Sequence, residues 1–335
     1  HACPSYVIDH LEVQHSSGSG LTCTPSTLTV RACADAACSS LYTGGLSAQF
    51  MASGSPTVNW DGSTGNGSGS RFVIGSGSSS VTKNLQITTP GSVLLGVTSI
   101  SPSANSATSC NFGSPACTFT VADSGFLLSV PNHTAEQSQT LSIKAVRKSD
   151  SSLACTPAFA NVSKAVTLSC SYANPSSGTL PVRVAGTPLS SGLSAACSAA
   201  GATLNLGFDA SGQASASLQY ADVGNVNLLA RYSPSTGTEA GLLMQGSTGF
   251  VAKPAGFTLS NIQCSASGSG NCAVTGGGLA NPGAGSASGA AFIPAGRAFS
   301  VKVTAINAAN AATPNYGQES PAEGVKLTAQ LVQPA

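Results

Sequence analysis

The densest reactive chemistry in this chain of 335 residues is sulfur, with eleven cysteines. Four near-neighbour pairs, Cys33/Cys38, Cys110/Cys117, Cys155/Cys170 and Cys264/Cys272, have the spacing of local disulfides that pin a loop or a strand pair. Cys23 and Cys197 compete for any of these partners. Loops this short stabilise a fold by roughly 2–3 kcal/mol on the chain-entropy view. A zinc site needs Cys-x-x-Cys knuckles or histidine partners. In CADAAC (33–38) four residues intervene and no His is near in sequence. Structural disulfides follow, and with them an oxidising compartment: a secreted or surface-exposed protein. Eleven is odd, so at least one thiol lacks an intrachain partner. Cys3, which either pairs with Cys23 or has its mate upstream, is one candidate. One of Cys155, Cys170 and Cys197 is another, and an intermolecular bridge is a third outcome.

Other chemistry is sparse. The chain has no GxSxG elbow. Its four histidines are His1, His10, His15 and His133. A Ser-His-Asp site would draw on His133 with Asp123 or Asp150, and nothing in the spacing sets that geometry. Trp60 is the single Trp and aromatic residues total 5%, against the aromatic-lined cleft of a glycoside hydrolase. Trp60 with Asp61 beside it is the candidate glycan contact; a strand end whose Trp caps the core is the preferred alternative. DGSTGN (61–66) and DASGQ (209–213) have calcium-loop composition, but neither matches an EF-hand loop. If His1 is a mature N-terminus, its amine and imidazole could chelate copper with His10, His15 or His133, as in lytic polysaccharide monooxygenases. The reading assigns no catalytic residue, no metal and no cofactor, and the expectation is a non-enzyme.

Composition narrows the class further. Hydrophobic residues make up 41%, but charged residues only 7%, where about a quarter is typical. Thirteen Lys and Arg against twelve Asp and Glu leave a net charge of +1, too little for a nucleic-acid or polybasic membrane surface. No apolar run reaches the length of a bilayer span. Alternation is the strongest local pattern: VIDHLEVQH (7–15), TLTVRAC (27–33), RFVIG (71–75), TLSIKAV (140–146), VNLLARY (226–232) and FSVKVTA (299–305) all read as half-buried strands. Clusters such as GSTGNGSGS (62–70) and GGGLANPGAGSASG (276–289) have loop composition. The chain reads as all-β.

A weak repeat organises the strands. An opening strand recurs as YVIDHLEV (6–13), SGFLLSV (124–130) and AGFTLSNI (255–262). A second recurs as TLTVRACA (27–34), TLSIKAVR (140–147) and FSVKVTAIN (299–307), turning Arg31, Lys144 and Lys302 outward. A third recurs as GLSAQFMA (45–52), KAVTLSCS (164–171) and VKLTAQLV (325–332), and a late strand recurs as GSVLLGVTS (91–99) and GNVNLLARY (224–232). The expectation is an elongated array of tandem Ig-like β-sandwiches over 1–122, 123–253 and 254–335. The third is expected to be partial, completed by further chain, by another subunit through strand addition, or by a smaller closure of its own.

HLEVQHSSGSGLTCTPSTLTVRACADAACSSLYTGG (10–45) leads from a histidine-containing strand through a TC-P element to LYTGG. CTFTVADSGFLLSVP (117–131), CTPAF (155–159), CSYANPSSG (170–178), LQYADVGNVNLLARY (218–232), FVAKPAGFTL (250–259) and AGRAFSVKVTAINAANAATPNYGQE (295–319) follow in order. Together they resemble the MshQ-like proteins found with the mannose-sensitive haemagglutinin (MSHA) type IV pilus locus, over nearly the whole chain. The resemblance implies a large exported protein at the surface of a Gram-negative bacterium, with more sequence on either side of this module. It implies partners among pilus or surface-filament proteins and carries over no catalytic residues. The resulting expectation is a non-enzymatic extracellular structural or adhesive module. A carbohydrate-binding adhesin, a filament subunit that self-associates through an exposed strand edge, and the copper enzyme are the rivals.

Overall fold

The computed structural model describes residues 7–54, 57–112, 117–263 and 298–328. The first strands are β1 (His10–Gln14), β2 (Ser19–Leu21), β3 (Ser26–Cys33), β4 (Leu46–Ser53), β5 (Val58–Trp60) and β6 (Ser63–Thr64). β7 (Arg71–Ile74), β8 (Ser80–Ile87), β9 (Gly91–Ser101), β10 (Ser109–Cys110) and β11 (Thr118–Ala122) follow. They form two sheets, ordered β10-β1-β3-β8-β5-β6 and β2-β11-β9-β4-β7.

The second set opens with β12 (Ser124–Ser129), β13 (His133–Thr134), β14 (Gln139–Lys148), β15 (Cys155–Pro157), β16 (Val162–Asn174) and β17 (Val182–Val184). It continues with β18 (Thr187–Pro188), β19 (Ala202–Phe208), β20 (Gln213–Tyr220), β21 (Gly224–Tyr232) and β22 (Met244–Lys253). The sheets are β12-β14-β20-β17-β18, with β15 on β14, and β13-β22-β21-β16-β19. A final antiparallel pair, β23 (Gly256–Gln263) and β24 (Ser300–Ile306), completes the described strands. One turn of 3-10 helix at Ser68–Ser70 is the only helical element among the described residues.

Apart from β10 on β1 and β15 on β14, the two sets of sheets share one strand order. β1 pairs antiparallel with β3 as β12 does with β14. In each set the chain then switches sheets: β2 joins β11 in parallel, and β13 joins β22 in parallel. A split opening strand that closes both layers is an Ig-like arrangement, so the all-β, Ig-like, disulfide-containing expectation holds. The repeat maps onto it directly. β23 and β24 reproduce the first pairing a third time, and the late repeat strand is β9 in one set and β21 in the other, beside β4 and β16. One repeat segment departs: residues 325–328 form no strand, and 329–332 lie outside the described residues.

Alternation sets which side chains meet. In β4 the odd-numbered serine and glutamine positions face out while Leu46, Ala48, Phe50 and Ala52 are buried. Leu28, Val30, Leu85 and Phe119 close over them in one core, and Leu141, Leu168, Leu218, Leu228 and Phe250 do the same in the second. Trp60 sits at the centre of the first. Its side chain is wholly buried and stacks on Phe50 with ring centroids 4.6 Å apart. The indole N–H donates to Asn66 Oδ1 at 3.0 Å. Asn66 also accepts from the Ala52 N–H and donates to the Ala52 carbonyl at 2.9 Å. The glycine-rich loop 62–70 is thereby folded back onto the core, supplying the polar partner that a buried indole requires. A fully covered ring cannot stack on a sugar, so Trp60 is not a glycan contact.

Removing this ring leaves a large void between sheets that cannot collapse onto each other. Trp60→Ala is expected to lower the unfolding free energy by about 3–5 kcal/mol. Urea denaturation followed by far-UV circular dichroism measures it, and a change within ~0.5 kcal/mol, the range of ordinary surface substitutions, contradicts the assignment.

Candidate functional site

The cysteines build the joint between the two sandwiches. Cys33 at the end of β3 bonds Cys38, and Cys110 of β10 bonds Cys117. The other described pairs differ from the near-neighbour expectation: Cys155 bonds Cys23 of the first sandwich, and Cys170 bonds Cys197. Cys170 points into the second core, where it is buried, whereas Cys155 sits on β15 beside Lys148, at the pole of the opposite sheet. The two sulfurs are held in different layers. Cys264 and Cys272, like Cys3, lie outside the described residues.

Around the Cys23–Cys155 bond the two sandwiches are stitched by polar contacts. Thr22 donates through its hydroxyl to Asp123 Oδ1 at 2.6 Å, while its N–H continues the β2–β11 pairing of the first sandwich at the Ala122 carbonyl, 3.0 Å away. Lys148 Nζ donates to the Thr88 carbonyl at 3.2 Å. On the other side Ser247 bonds the hydroxyls of both Ser16 and Ser17. Glycine makes the close approach possible. A Cβ on Gly125 would lie 2.6 Å from Leu21 Cδ2 of the first sandwich; the other tight approaches, Gly125 to the Gln245 oxygen at 2.4 Å and Gly246 to the Phe126 oxygen at 2.0 Å, bring β12 and β22 of the second sandwich together.

A cleft of about 670 Å³ runs along this joint. Gln14, His15 and Asn111 form one wall; Asn225, Asn227 and Thr248 on β21 and β22 face them from the other. Burial pushes the His15 imidazole down to about 4, so it is neutral near pH 7. Its Nδ1 accepts the N–H groups of Ser17 and Gly18, at 3.2 and 3.0 Å, and the ring meets Phe119 edge-on at 5.0 Å.

A second joint ties the second sandwich to residues 307–320. Asn307 Nδ2 donates to the Ala221 carbonyl at 2.9 Å, the Ala308 N–H to the Ala135 carbonyl at 2.9 Å, and Asn174 and Ser320 exchange two hydrogen bonds. Asp222 is wholly buried here. Its Oδ1 accepts from the N–H groups of Val223 at 2.9 Å and Asn315 at 3.1 Å, while Oδ2 has no partner among the described residues. Burial raises its carboxyl above the ordinary carboxylate range, with the charge of Glu319 adding to the effect. Tyr220 and Tyr172 share this environment, and burial raises both phenols.

The remaining candidates are dispersed. Asp61 is exposed, and its carboxylate accepts from Lys83 Nζ at 2.7 Å and from the Asn84 N–H at 3.0 Å. Asp209 Oδ1 is filled by the N–H groups of Ser211 and Gln213 and the Ser211 hydroxyl, which hold its carboxyl below the usual range. The Asp209 turn is closed by its own donors, whereas Asp61 is held by donors on β8. His133 is buried, stacks on Phe250 at 5.1 Å and places Nδ1 2.9 Å from the Pro131 oxygen. Asp123 is engaged by Thr22, and Asp150 pairs with Arg147 at the surface. The structure does not gather these three. His10, remote from Cys33 in sequence, lies opposite it across β1 and β3. With Cys38 the two form a potential three-ligand cluster among the described residues. The Cys33–Cys38 bond leaves that cluster no thiolate. His1 lies outside the described residues.

Comparison with known proteins bears out the domain class. Residues 107–247 match the domain of unknown function DUF6701, first Ig-like domain, and 253–335 match the DUF6701 second domain. Residues 8–103 match the domain of unknown function DUF8613. These segments do not coincide with the sheets, since β10 and β11 fall in the second segment yet pair with β1, β2 and β9 of the first. No curated protein matches the chain in sequence. Similar solved structures include the D0–D1 domains of intimin (14% identity, TM-score 0.27, covering 72% of this chain and 98% of that one). The Yersinia pseudotuberculosis adhesin InvE is similar at 17% identity and TM-score 0.23, covering 76% and 67%. Domains 5–6 of the S-layer protein SbsC are similar at 13% and 0.24, covering 73% and 98%.

Two outcomes follow from the joints. Cys23 and Cys155 are 132 residues apart, a closure that stabilises by roughly 5 kcal/mol on the chain-entropy view. Cys23→Ser with Cys155→Ser is expected to keep the strand signal in circular dichroism while the two sandwiches tumble more independently in NMR relaxation; unchanged relaxation contradicts the locked joint. For Asp222, the folded pKa lies above the unfolded one. Its contribution is therefore complete below the unfolded value and is lost as pH rises through the folded value. Asp222→Asn is expected to flatten the pH dependence of stability between the ordinary carboxylate range and neutrality, read from melting temperatures. An unaltered slope contradicts the assignment.

Proposed function

We propose that this chain of DUF6701 Ig-like domains is a non-enzymatic extracellular structural and adhesive module. Its setting is the surface of a Gram-negative bacterium, in a type IV pilus-associated system of the MSHA kind that its sequence resembles. The observation that carries this reading is the Cys23–Cys155 bond, which joins two sandwiches of the same topology through a covalent and hydrogen-bonded joint. A linker without such a bond would let neighbouring domains move freely. A cross-link suits a part that must hold position between a cell and what it touches. The four described disulfides fit an oxidising exterior. A chain with 7% charged residues resists nonspecific electrostatic attachment, leaving contact to shape and hydrogen bonding.

Cells that produce the protein and cells lacking its gene test the reading under flow. The deletion is expected to reduce attachment. Restoring the chain with Cys23→Ser and Cys155→Ser is expected to recover attachment in still medium and lose it under shear. Equal attachment by wild-type and deletion cells overturns the proposal.

A further inference from the structure

The strands that end the sheets of the two sandwiches are mostly blunted in the ways that keep sheet edges from pairing with other chains. β2, β6, β10, β13 and β18 are two or three residues long, and β18 contains Pro188. β12 backs onto β22, where Gly125 and Gly246 bring the two strands together. β7, which ends its sheet beside β4, has four residues and begins with the exposed Arg71. β19 holds the same place beside β16 in the second sandwich, and it is not blunted. It keeps seven consecutive pairings with β16, from Val162↔Phe208 to Leu168↔Ala202, with no bulge. Its sequence, ATLNLGF, has no charge and no proline. Among the described residues no backbone hydrogen bond reaches its far side. A row of N–H and C=O groups is left for another strand to take up.

The side chains of this edge select the partner. Ala202, Leu204, Leu206 and Phe208 turn toward the core, with Ala202 and Leu204 only half-buried, while Thr203, Asn205 and Gly207 are exposed on the outer face. A Cβ on Gly207 would meet nothing within 4 Å. A strand that extends the sheet must keep both faces in step, since a slip of one residue turns its apolar row to water. A second copy of β19 does so by symmetry. In antiparallel pairing about a two-fold axis at Asn205, residue 202 falls opposite 208, 203 opposite 207 and 204 opposite 206. All seven residues then pair, and each apolar side chain meets an apolar one. Asp209, the first charged residue after the strand, falls opposite Gly201 and far from its own copy.

We propose that β19 is a self-association edge, at which two copies of this chain pair β19 with β19 in antiparallel fashion about a two-fold axis at Asn205. The two β13-β22-β21-β16-β19 sheets become one continuous sheet. The contact uses the same surface on both copies, so it closes at a dimer. It lies across the sheet from β22, whose Ser247 meets the first sandwich, and it does not depend on the adhesive reading.

Sedimentation of the purified full chain between about 1 and 500 μM tests it, a range suited to a contact at the small end of specific interfaces. A monomer–dimer equilibrium is expected, and the β19 amide protons should exchange more slowly at the top of the range than at the bottom. Asn205 is exposed, so N205K and N205E should each keep the wild-type circular dichroism and melting temperature. Each sets like charges opposite one another across the axis and should weaken the dimer about fivefold. An equal mixture of the two sets lysine opposite glutamate and should associate within about twofold of wild-type strength. The proposal is overturned by a chain that stays monomeric throughout, by β19 exchange that ignores concentration, by a dimer that N205K leaves intact, or by a mixture no tighter than its components.

Discussion

Each sheet of the two sandwiches has one apolar face that water cannot be allowed to reach, and their architecture answers that constraint. Few charges are present to hold the surface in solution or to pair across it. Order comes from backbone ladders, from two cores built by period-two alternation, and from sulfur. The same constraint explains why Trp60 went inward. Its indole N–H needed a partner, and the loop after β6 bent back to place Asn66 there, so a loop of turn composition became part of the core seal.

Where the sheets meet their neighbours, the chemistry changes from apolar to polar. The joint between the sandwiches is made of hydroxyls, carbonyls and one disulfide, with Gly125 admitting the Leu21 side chain. The joint to residues 307–320 is likewise polar, but it buries a carboxyl whose second oxygen is unpartnered. The two joints thus respond differently to their surroundings: the first is fixed covalently, while the second is sensitive to protonation.

Much of the fold was legible in the sequence because a strand with one buried face writes its period into the residues. The three copies of the opening strand and its partner are read from 6–13, 124–130 and 255–262, and each pairs as its copies do. The third copy's last segment misled because VKLTAQLV alternates well, yet a strand also needs a neighbour to pair with, and alternation says nothing of one. The cysteines misled for a related reason. Cys155 and Cys170 are close along the chain but lie in opposite layers, and only the sheet order reveals it. The cleft was not legible at all. Its lining side chains come from strands more than 200 residues apart, from Gln14 to Gln245, and no motif marks them.

The Cys23–Cys155 bond also decides where tension would travel. A pull applied on either side of the joint passes from residue 23 through sulfur to residue 155, and the intervening chain bears none of it. The cysteines are 132 residues apart, so about 460 Å of extensible backbone, at ~3.5 Å per residue, stays slack. From β3 to β14 the strands hang beside the load path as a protected loop. Of the first sandwich only β1 and β2, which precede Cys23, stay in the path; of the rest, β16 and every later strand follow Cys155 and stay in it too.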